Sequence, residues 1–139
     1  MPRILVALDG SSGSEKALEA AVKLAQQDGG RLTAVTVLER TGNPKLDHLR
    51  EDVVAQARHR LEELLEAAAN FARSRGVRLV PILREGHPAD AIITCVEEEK
   101  ADILVLGANS RDGDAGLGGT ADQVSNHCPC TVLIARHAA

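Results

Sequence analysis

The run Ile4-Leu5-Val6-Ala7-Leu8, stopped by Asp9-Gly10-Ser11-Ser12, sets the fold class. Five consecutive apolar residues that end at a polar turn describe a strand covered on both faces, because a strand with one wet face alternates instead. Strands of that kind belong to parallel sheets, in which a crossover follows each strand. Ser12 and Glu15 come next at capping-box spacing, and Leu18, Ala21, Val22 and Ala25 recur at helical period until Gly29-Gly30. The opening unit is therefore strand, loop, helix.

Working outward, Leu32 to Leu38 reads as a second strand rich in β-branched residues, and Thr41-Gly42-Asn43-Pro44 as a loop. Leu46, Leu49, Val53, Ala57, Leu61, Leu64, Ala68 and Phe71 mark one stripe of a long amphipathic helix with Gly76 as its stop. The stripe predicts a helix lying on the sheet rather than a coiled coil, which would need more heptads. Val77 to Leu83 is the third strand. Pro88 suits a helix first turn, and Ala91, Ile92, Cys95 and Val96 give that helix a buried face. Ile103 to Leu106 is a fourth strand, Gly107 to Gly119 a loop, Thr120 to Asn126 a short helix, and Thr131 to Ala135 a fifth strand. Strictly alternating strands and helices predict a doubly wound, Rossmann-like α/β fold, five parallel strands with helices on both faces. No repeat, low-complexity segment or linker interrupts residues 1–139, so a single domain is expected.

Composition removes several functions. The chain of 139 residues is 44% hydrophobic, ordinary for a globular domain, and holds one Phe with no Trp or Tyr, which leaves nothing for stacking nucleobases. Its 16 Lys and Arg against 20 Asp and Glu give a net charge of -4, without the basic excess that a phosphate backbone attracts, so nucleic acid is not an expected partner. The apolar run before Asp9 is too short for a signal segment or a membrane span, and no later run is longer, so no membrane association is expected. Three Cys, with Cys128 and Cys130 one residue apart, do not form a disulfide framework and suit a reducing, cytoplasmic compartment.

Ligands of doubly wound sheets bind beyond the carboxyl ends of the strands where the strand order switches, which directs attention to the loops after the first and fourth strands. Asp9-Gly10-Ser11-Ser12 feeds a helix N-terminus whose free amides and dipole favour an anion or polar ligand. The same residues are ordinary helix caps, and both roles stand open. The second loop, Gly107-Ala108-Asn109-Ser110-Arg111-Asp112-Gly113-Asp114-Ala115-Gly116-Leu117-Gly118-Gly119-Thr120, has glycines enough for backbone amides to close around a phosphate. It holds no Gly-Lys-Ser/Thr of a P-loop, and a plain glycine-rich surface loop remains the alternative.

The opening ILVALDGS, the Glu85-Gly86-His87-Pro88-Ala89 turn, the segment Ala101-Asp102-Ile103-Leu104-Val105-Leu106-Gly107 and the closing His127-Cys128-Pro129-Cys130-Thr131-Val132-Leu133-Ile134 together resemble the universal stress protein family, nearly end to end. The resemblance implies strand order 3-2-1-4-5, a homodimer paired through the C-terminal strand and, in one branch, an ATP site. That branch carries Gly-x2-Gly-x9-Gly-Ser/Thr after the fourth strand. Gly107 matches the first glycine, Gly119-Thr120 the final pair and Gly113 a further loop glycine; Ser110 stands at the second glycine, and the stretch from Ser110 to Gly119 is one residue short. By the same resemblance Val37 matches the adenine contact, Asp9 would face the ribose, and Gly107, Ser110, Gly113, Gly119 and Thr120 would surround the phosphates. Asp112 and Asp114 outweigh Arg111, so the loop opposes a triphosphate unless a divalent cation such as Mg²⁺ bridges the two or the aspartates point to solvent.

His127, Cys128 and Cys130 could be a soft-metal or redox cluster, but they lack a second ligand pair at zinc-like spacing, so packing rather than redox or metal work is their expected role and no metal site is expected. Cys95 falls on a core stripe, His87 is a cap or loop contact, and Glu97-Glu98-Glu99 is a solvated helix end. No nucleophile has a base placed beside it by spacing, and no catalytic residue is assigned. The reading is a stress-response regulatory module that binds an adenine nucleotide, ATP, with little or no turnover. The alternatives are a nucleotide-free dimeric interaction module of the same fold and a slow ATPase.

Overall fold

The computed structural model describes residues 2–27, 29, 31–40, 51–108 and 119–136. Strand β1 (Ile4–Leu8) leads into α1 (Ser12–Gln27), β2 (Arg31–Glu39) precedes α2 (Glu51–Ser74), and β3 (Arg78–Gly86) leads into α3 (Pro88–Glu99). β4 (Ile103–Gly107), α4 (Gly119–His127) and β5 (Thr131–Ala135) complete the order. The five strands form one parallel sheet in the order β3-β2-β1-β4-β5, as expected, with β1 at its centre. Its two neighbours come from distant parts of the chain: Leu5 pairs with Thr33 on one side and Leu104 on the other.

Because successive strand residues face opposite sides, β1 feeds two cores. Ile4, Val6 and Leu8 join Ala17, Ala21 and Val22 of α1 and Leu65, Ala68 and Ala72 of α2. Leu5, on the other side, joins Val35 of β2, Leu104 and Leu106 of β4, Ile92 and Cys95 of α3, and Val124 of α4. Asp102 ties the amino end of the sheet together: its carboxylate accepts the Arg3 N–H at 2.7 Å, its own N–H donates to the Arg3 carbonyl at 2.8 Å, and its carbonyl accepts the Thr131 N–H at 3.2 Å.

β3 runs three residues beyond the expected Leu83. The apolar run stops there, but backbone pairing with β2 continues to Glu39↔Gly86, and an edge strand needs no apolar side chains to keep its ladder. Leu46 and Leu49 of the expected stripe lie outside the described residues. Val53, counted in the same stripe, is 50% exposed. The reason is helix length. Arg58 reaches Glu85 near the carboxyl end of β3, so the turns before it project past the sheet edge, and fully buried positions begin only at Leu65. α2 ends as Gly76 predicts: Gly76, at φ +75, donates to the Arg73 carbonyl and Val77 to that of Ala72, closing a Schellman motif. α3 ends in the same pair of bonds, from Lys100 to Glu97 and from Ala101 to Val96, but with a lysine in the left-handed position.

Candidate functional site

Among the described residues, each of the four helices begins at the carboxyl edge of the sheet, a geometric consequence of parallel strands, so their positive dipole ends gather there. The order switches beside β1, whose carboxyl end faces β2 on one side and β4 on the other. Asp9 leaves β1 at this point. The pair Leu8↔Thr36 is the last of the β1–β2 register, and Asp9 and Val37 are the residues that follow it on the two chains. Val37 is half-buried on the α3 and α4 side of the sheet, with Val35 and Ala7 below it. An exposed carboxylate and an apolar surface therefore lie together at the switch point.

The loop after β1 is held by its own polar groups. Gly10 takes φ +85, which a side chain would resist. The Asp9 Oδ1 accepts the Ser11 N–H at 2.9 Å. Ser11 then caps α1: its Oγ accepts the Ser14 N–H at 3.1 Å, and its carbonyl accepts the Glu15 N–H at 3.1 Å. Ser14 Oγ donates to the Ser11 carbonyl and accepts the Gly10 N–H. The expected Ser12 and Glu15 capping box is thus replaced by Ser11 and Ser14. The helix starts one residue earlier because Asp9 satisfies the Ser11 amide, which leaves Ser11 rather than Ser12 in the cap position. Both roles offered for Asp9 are compatible, since one hydrogen bond to Oδ1 uses a fraction of a carboxylate's acceptor capacity.

Gly107 closes β4 and faces α1. A Cβ there would overlap the Gly13 carbonyl and come within 2.7 Å of the Ser14 amide nitrogen, while one on Gly13 would lie 2.6 Å from the Ala108 carbonyl oxygen. Gly107 and Val37 therefore look to opposite sides of the sheet, and only the backbone of Gly107 is available to a ligand held on Val37's side. Ala108 continues the chain with its N–H bonded to the Ala135 carbonyl of β5 at 2.9 Å. Ser110 and Gly113 lie outside the described residues, as do Arg111, Asp112 and Asp114. The chain resumes at Gly119, which with Thr120 forms the first turn of α4.

Two groups at this edge escaped the reading of residue types. Thr36 is buried, and its Oγ1 donates to the Leu8 carbonyl at 2.7 Å, fixing the end of β1 against β2. Only its position among the apolar residues Ala34, Val35, Val37 and Leu38 could have marked it. Glu85 accepts hydrogen bonds from Arg40 and Arg58, each at 2.8 Å, and the Arg58 bond foremost, with the charges of both guanidinium groups and the Arg40 bond, holds its carboxyl below the usual value against the opposing effect of burial. His87 occupies the cap position of α3 through its carbonyl, which accepts the Ala91 N–H, and its side chain makes no cap bond.

The sequence profile of the universal stress protein family matches residues 1–136. A universal stress protein of Thermus aquaticus is 35% identical over 137 residues, covering 96% of this chain and 97% of its own. The universal stress protein YxiE of Bacillus subtilis is 32% identical over 145 residues, covering 96% and 98%. Among solved structures, universal stress protein UspA from Lactobacillus plantarum superposes with a TM-score of 0.88 at 25% identity, covering 97% of both chains. A universal stress protein in complex with cAMP gives 0.74 at 24% identity, covering 97% of both. An Arabidopsis thaliana member with AMP bound gives 0.76 at 20% identity, covering 100% of this chain and 94% of that one.

Proposed function

The chain belongs to the universal stress protein family, and from that premise we propose that it is a stress-response regulatory module that binds ATP at the β1–β4 switch point with little or no turnover. The observation that carries the reading is that Asp9 and Val37 directly follow the last β1–β2 pair, Leu8↔Thr36, at the carboxyl edge where α1 and α4 start. Val37 offers apolar surface to an adenine ring, and Asp9 accepts hydrogen bonds from ribose hydroxyls. Ser110, Gly113, Gly119 and Thr120, with the backbone of Gly107, make the phosphate cradle. The cAMP and AMP complexes of two proteins of the same fold support adenine nucleotides as the ligand class. Mg²⁺ would bridge the triphosphate to Asp112 and Asp114. The sequence places no catalytic base for water beside the cradle, and a nucleotide held without one acts as a switch.

The assembly proposed is a homodimer through β5. That strand is an edge of the sheet, and Leu133 on it is 40% exposed, an apolar side chain on an unpaired ladder. Among the described residues no helix is long and apolar enough to cross a membrane; the place of action proposed is the cytoplasm.

Titration calorimetry with ATP and Mg²⁺ tests the site. Saturable heat is expected. Without Mg²⁺, the double change Asp112→Asn and Asp114→Asn should tighten ATP several-fold, because removing like charge near the phosphates is worth about 1 kcal/mol after screening. Silence at millimolar ATP from both the parent and Ser110→Gly would leave the nucleotide-free dimeric module.

A further inference from the structure

The sulfurs of Cys128 and Cys130 lie 3.2 Å apart, about 1 Å more than the length of a disulfide bond. Both thiols are free and half-buried. Pro129 between them has a fixed φ, and a bend spans Pro129 and Cys130 before β5 begins at Thr131. This bend turns both side chains to the same side, against the core that contains Leu104 and Val124. Two cysteines drawn together in this way, rather than pointing apart, satisfy the first condition for a bond between them. We propose that Cys128 and Cys130 are a redox dithiol, oxidised to an intramolecular disulfide by exchange with small-molecule disulfides.

The exchange balances without another reactant. The Cys128 thiolate attacks one sulfur of RS–SR, the S–S bond breaks, and the departing RS⁻ takes up the proton that Cys128 gave up. Cys130, as thiolate, then attacks Cys128 Sγ, forming the protein disulfide and expelling the second RS⁻, which takes the Cys130 proton. Two protein thiols lose two electrons, and one RS–SR becomes two RSH. The order of attack follows from surroundings. Burial, with the hydrogen bond and charge of Cys128 added, pushes the Cys130 thiol up to about 12. Once Cys128 carries the mixed disulfide it no longer ionises and its share of that push disappears, while the larger share, from burial, remains, so the attack by Cys130 is the slower of the two steps. Cys95 takes no part: it is fully buried in α3, with its thiol pushed up to about 11 by burial.

The dithiol sits at the amino end of the sheet, where Thr131 pairs with Ile103, opposite the edge that holds Asp9 and Val37. The inference therefore stands apart from the nucleotide reading. The test is to equilibrate the full chain, dilute, in glutathione buffers of stepped redox ratio, quench in acid, alkylate under denaturing conditions and weigh the intact protein. Oxidising buffers should remove two of the three thiols with no glutathione attached and no covalent dimer. Cys128→Ser and Cys130→Ser should each instead stop at a glutathione adduct. A parent chain that keeps three alkylatable thiols, retains an adduct as the variants do, or oxidises between chains would overturn the proposal.

Discussion

Gly107 and Gly13 meet backbone to backbone: a Cβ on Gly107 would overlap the Gly13 carbonyl, and one on Gly13 would strike the carbonyl of Ala108, the residue after Gly107. They join the end of β4 to the first turn of α1, and the atoms in the way are backbone, which cannot swing aside as a side-chain tip can. Gly107 takes no left-handed φ, so what the position demands is room.

Gly107→Ala and Gly13→Ala should therefore each destabilise the fold by roughly 1–3 kcal/mol, toward the upper end because main chain must move. Urea unfolding with nucleotide absent measures this. A variant that unfolds like the parent yet loses ATP would show that Gly107 serves the ligand and not the packing.

Glu85 gives a pH signature. Its folded pKa lies below its ordinary value of 4.5, so the stability it adds is complete above about that value and is lost as pH falls through the depressed folded value. Urea midpoints of the parent and Glu85→Gln should differ at pH 7 and converge as pH drops below 4.5. The difference is small, because the Glu85 side chain is 43% exposed. A gap that widens on acidification would contradict the assignment.

Lys100 holds φ 54 and ψ 47 at the end of α3. The left-handed conformation costs a side-chain-bearing residue about 1–2 kcal/mol, part of which glycine returns through its greater freedom in the unfolded chain. Lys100→Gly should raise stability by roughly 0.5–1 kcal/mol, seen as a melting temperature a few degrees higher. Unchanged or lowered melting would mean that the lysine is compensated in place.

Leu133→Glu addresses assembly. A charge on the β5 edge should turn a dimer into a monomer in light scattering, whereas Val53→Glu, on the projecting turns of α2, should leave the mass unchanged. Equal behaviour of the two variants would move the interface away from β5.

The inner strands β1 and β4 were legible because they are covered on both faces: Ile4–Leu8 and Ile103–Leu106 read as unbroken apolar runs. Gly76 and Pro88 marked helix ends by local backbone chemistry that needs no tertiary partner. What could not be read depends on residues far apart in the chain or on a choice among equals. Nothing in the sequence near Gly13 announces that Gly107 presses against it, and three serines in a row of four residues left the cap of α1 undecided until Asp9 was seen to hold Ser11. Spacing placed Cys128 and Cys130 near each other, but only the bend at Pro129 brings their sulfurs together. At the candidate site, the place of Asp9 and Val37 after the last β1–β2 pair follows from strand register once the order of the strands is known; the cradle residues rest on motif matching alone.

The central position of β1 also dictates a timetable during synthesis. Its β2 side can close as soon as residue 39 is available, but its β4 side waits for Ile103, whose register partner is Ile4. At ribosomal speeds of about 5–20 residues per second, the interval is on the order of ten seconds. Throughout it, the nascent chain carries an apolar strand with one open ladder and no Asp102 to tie down Arg3. Translation rate across residues 40–102 should thus govern how much of this protein reaches its native state without a chaperone's help.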